Sequence, residues 1–182
     1  MIHIETIVVN LLGEPSAGKS TAAMDITARL KRKGVNAEYV TEFAKDKVYE
    51  NNKEVFKHQQ YLFGKQSFRM GRVRNKVQVM VVDSPLLLNI IYNDDDVLGE
   101  DFNRTVLNVF NSYRNINYLL VRKHTYENDG RRHNEEQSFG IRKLIKDKLE
   151  ELNIDYKTAT SSEDDCEKIA NEIIREVKKN EQ

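Results

Sequence analysis

Short apolar runs alternate with longer stretches of helical periodicity along most of the chain. The run Ile7-Val8-Val9-Asn10-Leu11-Leu12 predicts a first strand over residues 6–12. A helix is expected from Gly18 to about Lys33, with Gly34 as its C-terminal cap. Residues 37–41 read as a second strand that ends at Glu42, followed by a short helix over 43–49 and a longer one over about 54–76. Gly64 and Gly71 lie inside that longer helix, and each costs about 1 kcal/mol against alanine, so a break or kink is expected. Residues 77–82 form the clearest strand, because near-continuous apolar character suits a parallel strand buried on both faces. A helical stretch over 86–92, a polar loop over 93–96, a helix over 101–113 and a strand over 117–121 come next. Residues 122–137 are charged without a periodic apolar face and read as a mobile loop. A helix over 139–152, a strand over 154–158 and a last helix over 162–179, N-capped by Ser162, complete the pattern. Five strands alternating with helices predict an α/β fold, a parallel sheet covered on both faces. Ligands of such sheets sit beyond the carboxyl ends of the strands.

Composition narrows this only a little. At 182 residues one domain with a substantial core is expected. The 29 Lys and Arg balance the 29 Asp and Glu, which removes any bulk electrostatic signature for nucleic acid or anionic membrane. The single cysteine, Cys166, has no partner for a disulfide and no metal-ligand spacing around it, and reads as a semi-buried helix residue in a reducing compartment. The N-terminus lacks a signal-peptide pattern, and no apolar run approaches the ~20 residues of a membrane span, so a soluble, cytoplasmic protein without membrane partners is expected.

The candidate chemistry collects at the predicted strand ends. Gly13-Glu14-Pro15-Ser16-Ala17-Gly18-Lys19-Ser20 reads G-x-x-x-x-G-K-S, a phosphate-binding loop, and it stands between a strand and a helix as that motif requires. Gly13 and Gly18 permit the tight backbone, whose N–H groups and helix dipole attract phosphate oxygens. The nucleotide-binding set is Gly13, Ser16, Ala17, Gly18, Lys19, Ser20 and Thr21, joined by Arg122 at the end of the fourth strand. Lys19 can reach the β- and γ-phosphates and Ser20 can ligate Mg2+. Asp83, directly after an apolar strand, is placed to hold the same metal or to act as catalytic base. Glu42 faces the same edge and can orient or deprotonate an acceptor hydroxyl. The cations of residues 122–137 can meet the γ-phosphate while the loop closes and excludes water. His124, His133 and the run Asp94-Asp95-Asp96 read as solvated surface rather than ligands.

Gly13–Thr21, Tyr39-Val40-Thr41-Glu42-Phe43-Ala44, Val82-Asp83-Ser84 and Asn128-Asp129-Gly130-Arg131-Arg132 together resemble the P-loop kinase family that includes the nicotinamide riboside kinase domain of the bacterial NAD-biosynthesis regulator. Bacteriophage proteins labelled as ATPases are similar. The resemblance spans about residues 7–174. It departs where the family often has Asp-Thr-Asp and this chain has Asp83-Ser84-Pro85, and in having only Tyr126 as the aromatic ahead of the lid Asp-Gly. It implies a P-loop NTPase three-layer sandwich with a five-stranded parallel sheet, and a lid over 122–137 in which Arg132 meets the phosphates. It also implies use of ATP and Mg2+ on a small nucleoside- or nucleotide-like acceptor. Two other functions stay open. Some similar phage proteins phosphorylate 5-hydroxymethyluridine within DNA, and Lys57, Lys65, Arg69, Arg72, Arg74 and Lys76 with Phe63 and Phe68 offer a basic, aromatic helix face for a strand. The last is an ATPase switch that binds a protein partner and transfers phosphate only to water.

Overall fold

Ile7, Val9 and Leu11 turn to one side of the first strand and Val8 and Leu12 to the other, and all five are fully buried. That double-sided burial sets the architecture of the computed structural model, which describes residues 5–93, 97–122 and 135–180. The elements run β1 (Ile7–Leu12), α1 (Lys19–Arg32), β2 (Ala37–Val40), α2 (Phe43–Tyr49), a single 3-10 turn (Glu54–Lys57), α3 (Gln59–Gly71), β3 (Val79–Val82), α4 (Leu88–Ile91), α5 (Gly99–Asn111), β4 (Arg114–Leu120), α6 (Glu135–Glu151), β5 (Lys157–Ala159) and α7 (Glu163–Asn180). The five strands lie in the order β2-β3-β1-β4-β5, and every pairing is parallel. Helices cover both faces, as expected for a sheet whose strands join by crossovers.

One face carries α1 and α7: Ala22, Ala23, Ile26 and Leu30 meet Ile169, Ala170, Ile173 and Val177 over Val9, Leu11, Val79 and Val81. The other carries α3 to α6, with Met70, Leu88, Phe102, Val106, Ile141 and Ile145 packed on Val8, Leu12, Met80 and Val82. The result is the expected α/β three-layer sandwich with a five-stranded parallel sheet. Cys166 is buried on the α7 side and has no disulfide partner. Among the described residues no helix is long and apolar enough to cross a membrane.

The main departures from the sequence pattern lie at four places. The expected helix over 54–76 is two elements, with a break at His58 (φ −115°, ψ 72°) and an end at Gly71, one of the two glycines where a break was expected, while Gly64 stays helical. The 3-10 turn buries Val55, after which α3 restarts with Leu62, Gln66 and Met70 inward; a Cβ on Gly64 would meet nothing within 4 Å. Strand β4 begins at Arg114, three residues early, because it pairs with β1 from Ile7 onward. Strand β5 is displaced to Lys157–Ala159, while Ile154 and Tyr156 pack against the core instead. Helix α6 begins at Glu135, so the last residues of the expected lid are helical; residues 123–134, and with them His124, Tyr126, Asp129, Gly130, Arg132 and His133, lie outside the described residues, as do Asp94, Asp95 and Asp96.

A polar ladder crosses this apolar sheet. Asn10, fully buried in β1, donates from Nδ2 to Asn115 Oδ1 and to Asn117 Oδ1, each at 2.9 Å, and Asn117 Nδ2 donates to the Asp155 carbonyl at 3.0 Å. Asn10→Ala leaves those oxygens without their donor, and an unsatisfied buried acceptor costs roughly 1–3 kcal/mol. Urea unfolding is expected to register a loss of that size for Asn10→Ala, against less than about 0.5 kcal/mol for the exposed Val48→Ala.

Candidate active site

The parallel order brings the carboxyl ends of all five strands to one edge, and the predicted site residues that the structure describes line it. Strand β1 runs into Gly13, whose φ of 150° no L-residue adopts easily; a Cβ there would stand 2.6 Å from the Leu120 carbonyl oxygen of β4. Ser16 takes a left-handed φ of 73°, and the Ala17 N–H closes the turn on the Glu14 carbonyl at 3.2 Å. The Ala17 side chain is buried in the core beneath the loop. Gly18 (φ 81°) precedes α1, and a Cβ on it would lie 2.3 Å from Ser161 Oγ in the β5–α7 turn. The arch therefore fits tightly between its neighbours and ends on the first turn of α1, at Lys19, Ser20 and Thr21. The N–H groups of a first helical turn lack intrahelical partners and face a ready anion position.

Lys19 is only part-exposed, and its ammonium is turned back on its own loop, donating to the carbonyls of Gly13 at 2.9 Å and Glu14 at 3.0 Å. Burial lowers its pKa, while the carboxylates of Glu42, Asp83 and Glu14 oppose that shift. Asp83, 1% exposed, follows β3 directly, next to β1 in the sheet. Its Oδ2 accepts from Ser20 Oγ at 2.6 Å and from the Tyr39 hydroxyl at 2.5 Å. Its Oδ1 is buried without a hydrogen-bond partner. A carboxylate oxygen left bare in this way, beside a serine hydroxyl and among further acidic groups, fits a hydrated Mg2+ that Ser20 and Asp83 would hold.

Glu42 stands at the end of β2, at the N-terminus of α2. Burial raises its pKa first of all; Lys19 pulls the other way and Asp83 adds to the rise. The segment around it is fixed from α3. Gln66 Oε1 accepts the Phe43 N–H at 3.0 Å, and Arg69 donates to the Thr41 carbonyl and hydroxyl and to Asp46. The Arg69 guanidinium also lies over the Phe43 ring, 5.2 Å from its centroid. Arg122, after β4, donates to the Pro15 carbonyl at 2.9 Å and so rests on the crown of the loop.

The structure thus brings Gly13–Thr21, Asp83, Glu42 and Arg122 to one edge; Arg132 lies outside the described residues. Sequence reasoning missed Tyr39 and Arg142. Tyr39 is paired in register with Val81, two residues before Asp83, and its length carries the hydroxyl to that carboxylate. Burial and the Asp83 contact push its own pKa well up. Arg142 of α6 donates from Nε to Glu14 Oε2 at 2.8 Å and from Nη2 to Glu14 Oε1, a contact separated by 128 positions that no local pattern announces. The basic helix face is largely committed internally: Lys57 pairs with Glu54, Arg69 with Asp46, and Arg74 donates to Ser112 over the Tyr113 ring. Exposed Tyr61 and Phe68 carry Lys65 and Arg72 over their rings, at positions 61, 65, 68 and 72 on one side of α3 and its end. Among the described residues no group of three or more His, Cys, Asp or Glu could hold a metal by itself.

Gly18→Ala forces a side chain into a left-handed position and into Ser161, so it is expected to weaken nucleotide binding at least tenfold in a calorimetric titration. Removing the clash alone, with Gly18→Ala/Ser161→Gly, is expected to recover only part of that loss, because the backbone strain persists.

Similarity to known proteins agrees with this geometry. Three solved structures superpose over most of the chain. NadR in complex with NR matches with a TM-score of 0.59 and 15% identity over 86% of this chain; the chain spans 44% of that one. Thymidylate kinase from Ehrlichia chaffeensis matches with a TM-score of 0.61 and 14% identity over 94% of this chain and 98% of its own. Deoxyadenosine kinase from M. mycoides with bound dATP matches with a TM-score of 0.59 and 18% identity over 92% and 98% of the two chains. At such identities the likeness establishes the fold alone. No curated protein sequence matches the chain. The AAA domain model AAA_28 matches residues 8–165, so the chain belongs to that family of P-loop domains.

Proposed function

We propose that the chain is a single-domain, Mg-ATP-dependent kinase that phosphorylates a hydroxyl of a small nucleoside- or nucleotide-like acceptor. The observation that carries this reading is the Asp83 carboxylate, held on one oxygen by Ser20 and Tyr39 and bare on the other, beside a complete phosphate loop and next to Glu42. Fold likeness to nucleoside and nucleotide kinases supports it.

In this reading the Lys19 ammonium leaves the Gly13 and Glu14 carbonyls for the β- and γ-phosphate oxygens, and the first turn of α1 presents its N–H groups to the same chain of phosphates. Bound Mg2+, held by Ser20 and Asp83, supplies charge neutralisation at the phosphates. Tyr39 and Ser20 keep Asp83 Oδ2 engaged and so leave Oδ1 for the metal. Glu42 accepts the proton of the acceptor hydroxyl as its oxygen bonds to the γ-phosphorus and the bond to ADP breaks. A carboxylate whose pKa burial has raised is a better proton acceptor than an ordinary glutamate. Arg122 steadies the loop crown, and Arg132 supplies positive charge to the γ-phosphate. A DNA-borne hydroxymethylated base is the second reading, favoured by the exposed Tyr61–Lys65–Phe68–Arg72 stripe.

The test is transfer from γ-labelled ATP to a panel of nucleosides, nucleotides and hydroxymethylated DNA. Label in a small acceptor supports the first reading, and label only in DNA supports the second. Release of label solely as phosphate replaces both with an ATPase switch. Lys19→Ala is expected to lower transfer at least ~10²-fold with the fold intact, the usual size of a lost contact to transition-state charge. Asp83→Asn is expected to raise the Mg2+ concentration needed for nucleotide binding, read by titration without acceptor. The pH profile follows from the direction of the Glu42 shift. As a base Glu42 must be ionised, so kcat/KM falls as pH drops through its pKa, and the acid limb lies above the ordinary glutamate value of about 4.3. Glu42→Gln is expected to remove that limb. A raised carboxyl binds its proton more tightly folded than unfolded, so ionising it costs stability as pH rises through that window, and Glu42→Gln is expected to melt no lower than wild type at pH 8.

A further inference from the structure

We propose that Arg142 is a positioning residue of the phosphate loop, which neutralises the buried Glu14 carboxylate and thereby leaves Lys19 free to turn onto phosphate. This deepens the proposed function and rests on it only in taking Lys19 as the phosphate ligand. Glu14 occupies a variable position of the G-x-x-x-x-G-K-S pattern, so nothing in the motif asks for an acid there. It is nevertheless 0% exposed, on a loop whose business is to attract anions. A lone ionised carboxylate at that depth is strongly disfavoured unless paired. The partner comes from α6, 128 positions away, and grips both oxygens with the two-pronged fork that only arginine offers.

The same glutamate touches the lysine twice over. Its backbone carbonyl accepts the Lys19 ammonium at 3.0 Å, and its carboxylate contributes to the field at that ammonium together with Glu42 and Asp83. With Arg142 in place, one of the three carboxylates around Lys19 is paired, which leaves Asp83 and Glu42 as the other two acids acting on that ammonium. Without Arg142 the loop carries an unpaired buried carboxylate that holds Lys19 back and repels the phosphate chain. Breaking a buried pair from one side is the damaging change, whereas removing both charges is tolerated far better. Helix α6 also opens where the expected lid ends, so the fork fastens the loop after β1 to the helix after β4.

The experiment is Mg-ATP titration of the full chain, without acceptor, for wild type, Arg142→Met, Arg142→Lys and the double variant Glu14→Gln/Arg142→Met. The expected result is a Kd raised at least tenfold in Arg142→Met, an intermediate Kd in Arg142→Lys, and recovery of most of the loss in the double variant. A merely structural contact would lower the melting temperature and leave Kd in the folded protein unchanged, so Arg142→Met binding as tightly as wild type overturns the proposal. So does a double variant at least tenfold weaker than wild type, and that arm decides the matter if Arg142→Met does not fold. Wild type that binds Mg-ATP but labels no acceptor refutes the kinase reading alone, whereas wild type that binds no nucleotide overturns both.

Discussion

Two hydrogen bonds to one buried oxygen organise the active edge of this protein. Ser20 comes from the start of α1, Tyr39 from β2, and Asp83 from the end of β3; their meeting at Asp83 Oδ2 ties three separate elements together. The sheet order makes this possible. Strand β1 lies between β3 and β4, so the phosphate loop is flanked by Asp83 on one side and by Leu120 and Arg122 on the other. A parallel sheet places such chain ends on one rim regardless of how far apart they stand in sequence. Change the order of the strands and the same residues would no longer converge.

Charge is arranged around that rim with a definite imbalance. Lys19 stands among the carboxylates of Glu14, Asp83 and Glu42. Arg142 takes the first of these, while Asp83 keeps one oxygen free of any hydrogen bond. Burial acts on both signs, lowering the lysine and raising Glu42, so neither group is held at its ordinary value. Perturbed groups gathered in one place are a common mark of functional sites, because catalysis asks for acids and bases near neutrality.

Much of this was legible in the sequence where a short motif dictates backbone. Gly13 and Gly18 were read as the residues that permit the tight loop, and both take positive φ at places where a side chain would strike Leu120 or Ser161. An apolar run followed at once by an acid marked Asp83, because a strand buried on both faces must release its first charge at its end. Local pattern failed where tertiary contact decides. The Asn10 ladder is invisible in a run that otherwise reads apolar, and its partners belong to a strand more than a hundred residues away. The helix over 54–76 was expected to yield at a glycine, and it does end at Gly71; the additional break at His58 follows the burial of Val55, and Gly64 sits harmlessly on the open face of α3. No local pattern around Arg142 announces its contact with Glu14, 128 positions away. Arg69 and Arg74, read as cations open to a nucleic acid strand, are occupied in holding Thr41, Asp46 and Ser112.

The central claim is that this edge is built to receive a nucleoside triphosphate together with a divalent cation, with Asp83 Oδ1 as the oxygen that awaits it. Isothermal titration of the wild-type chain with a non-hydrolysable ATP analogue, in the presence of Mg2+ and of EDTA, addresses it most directly. The account predicts saturable one-to-one binding with Mg2+ that weakens at least tenfold in EDTA. Absence of binding, or equal affinity with and without the metal, would contradict it.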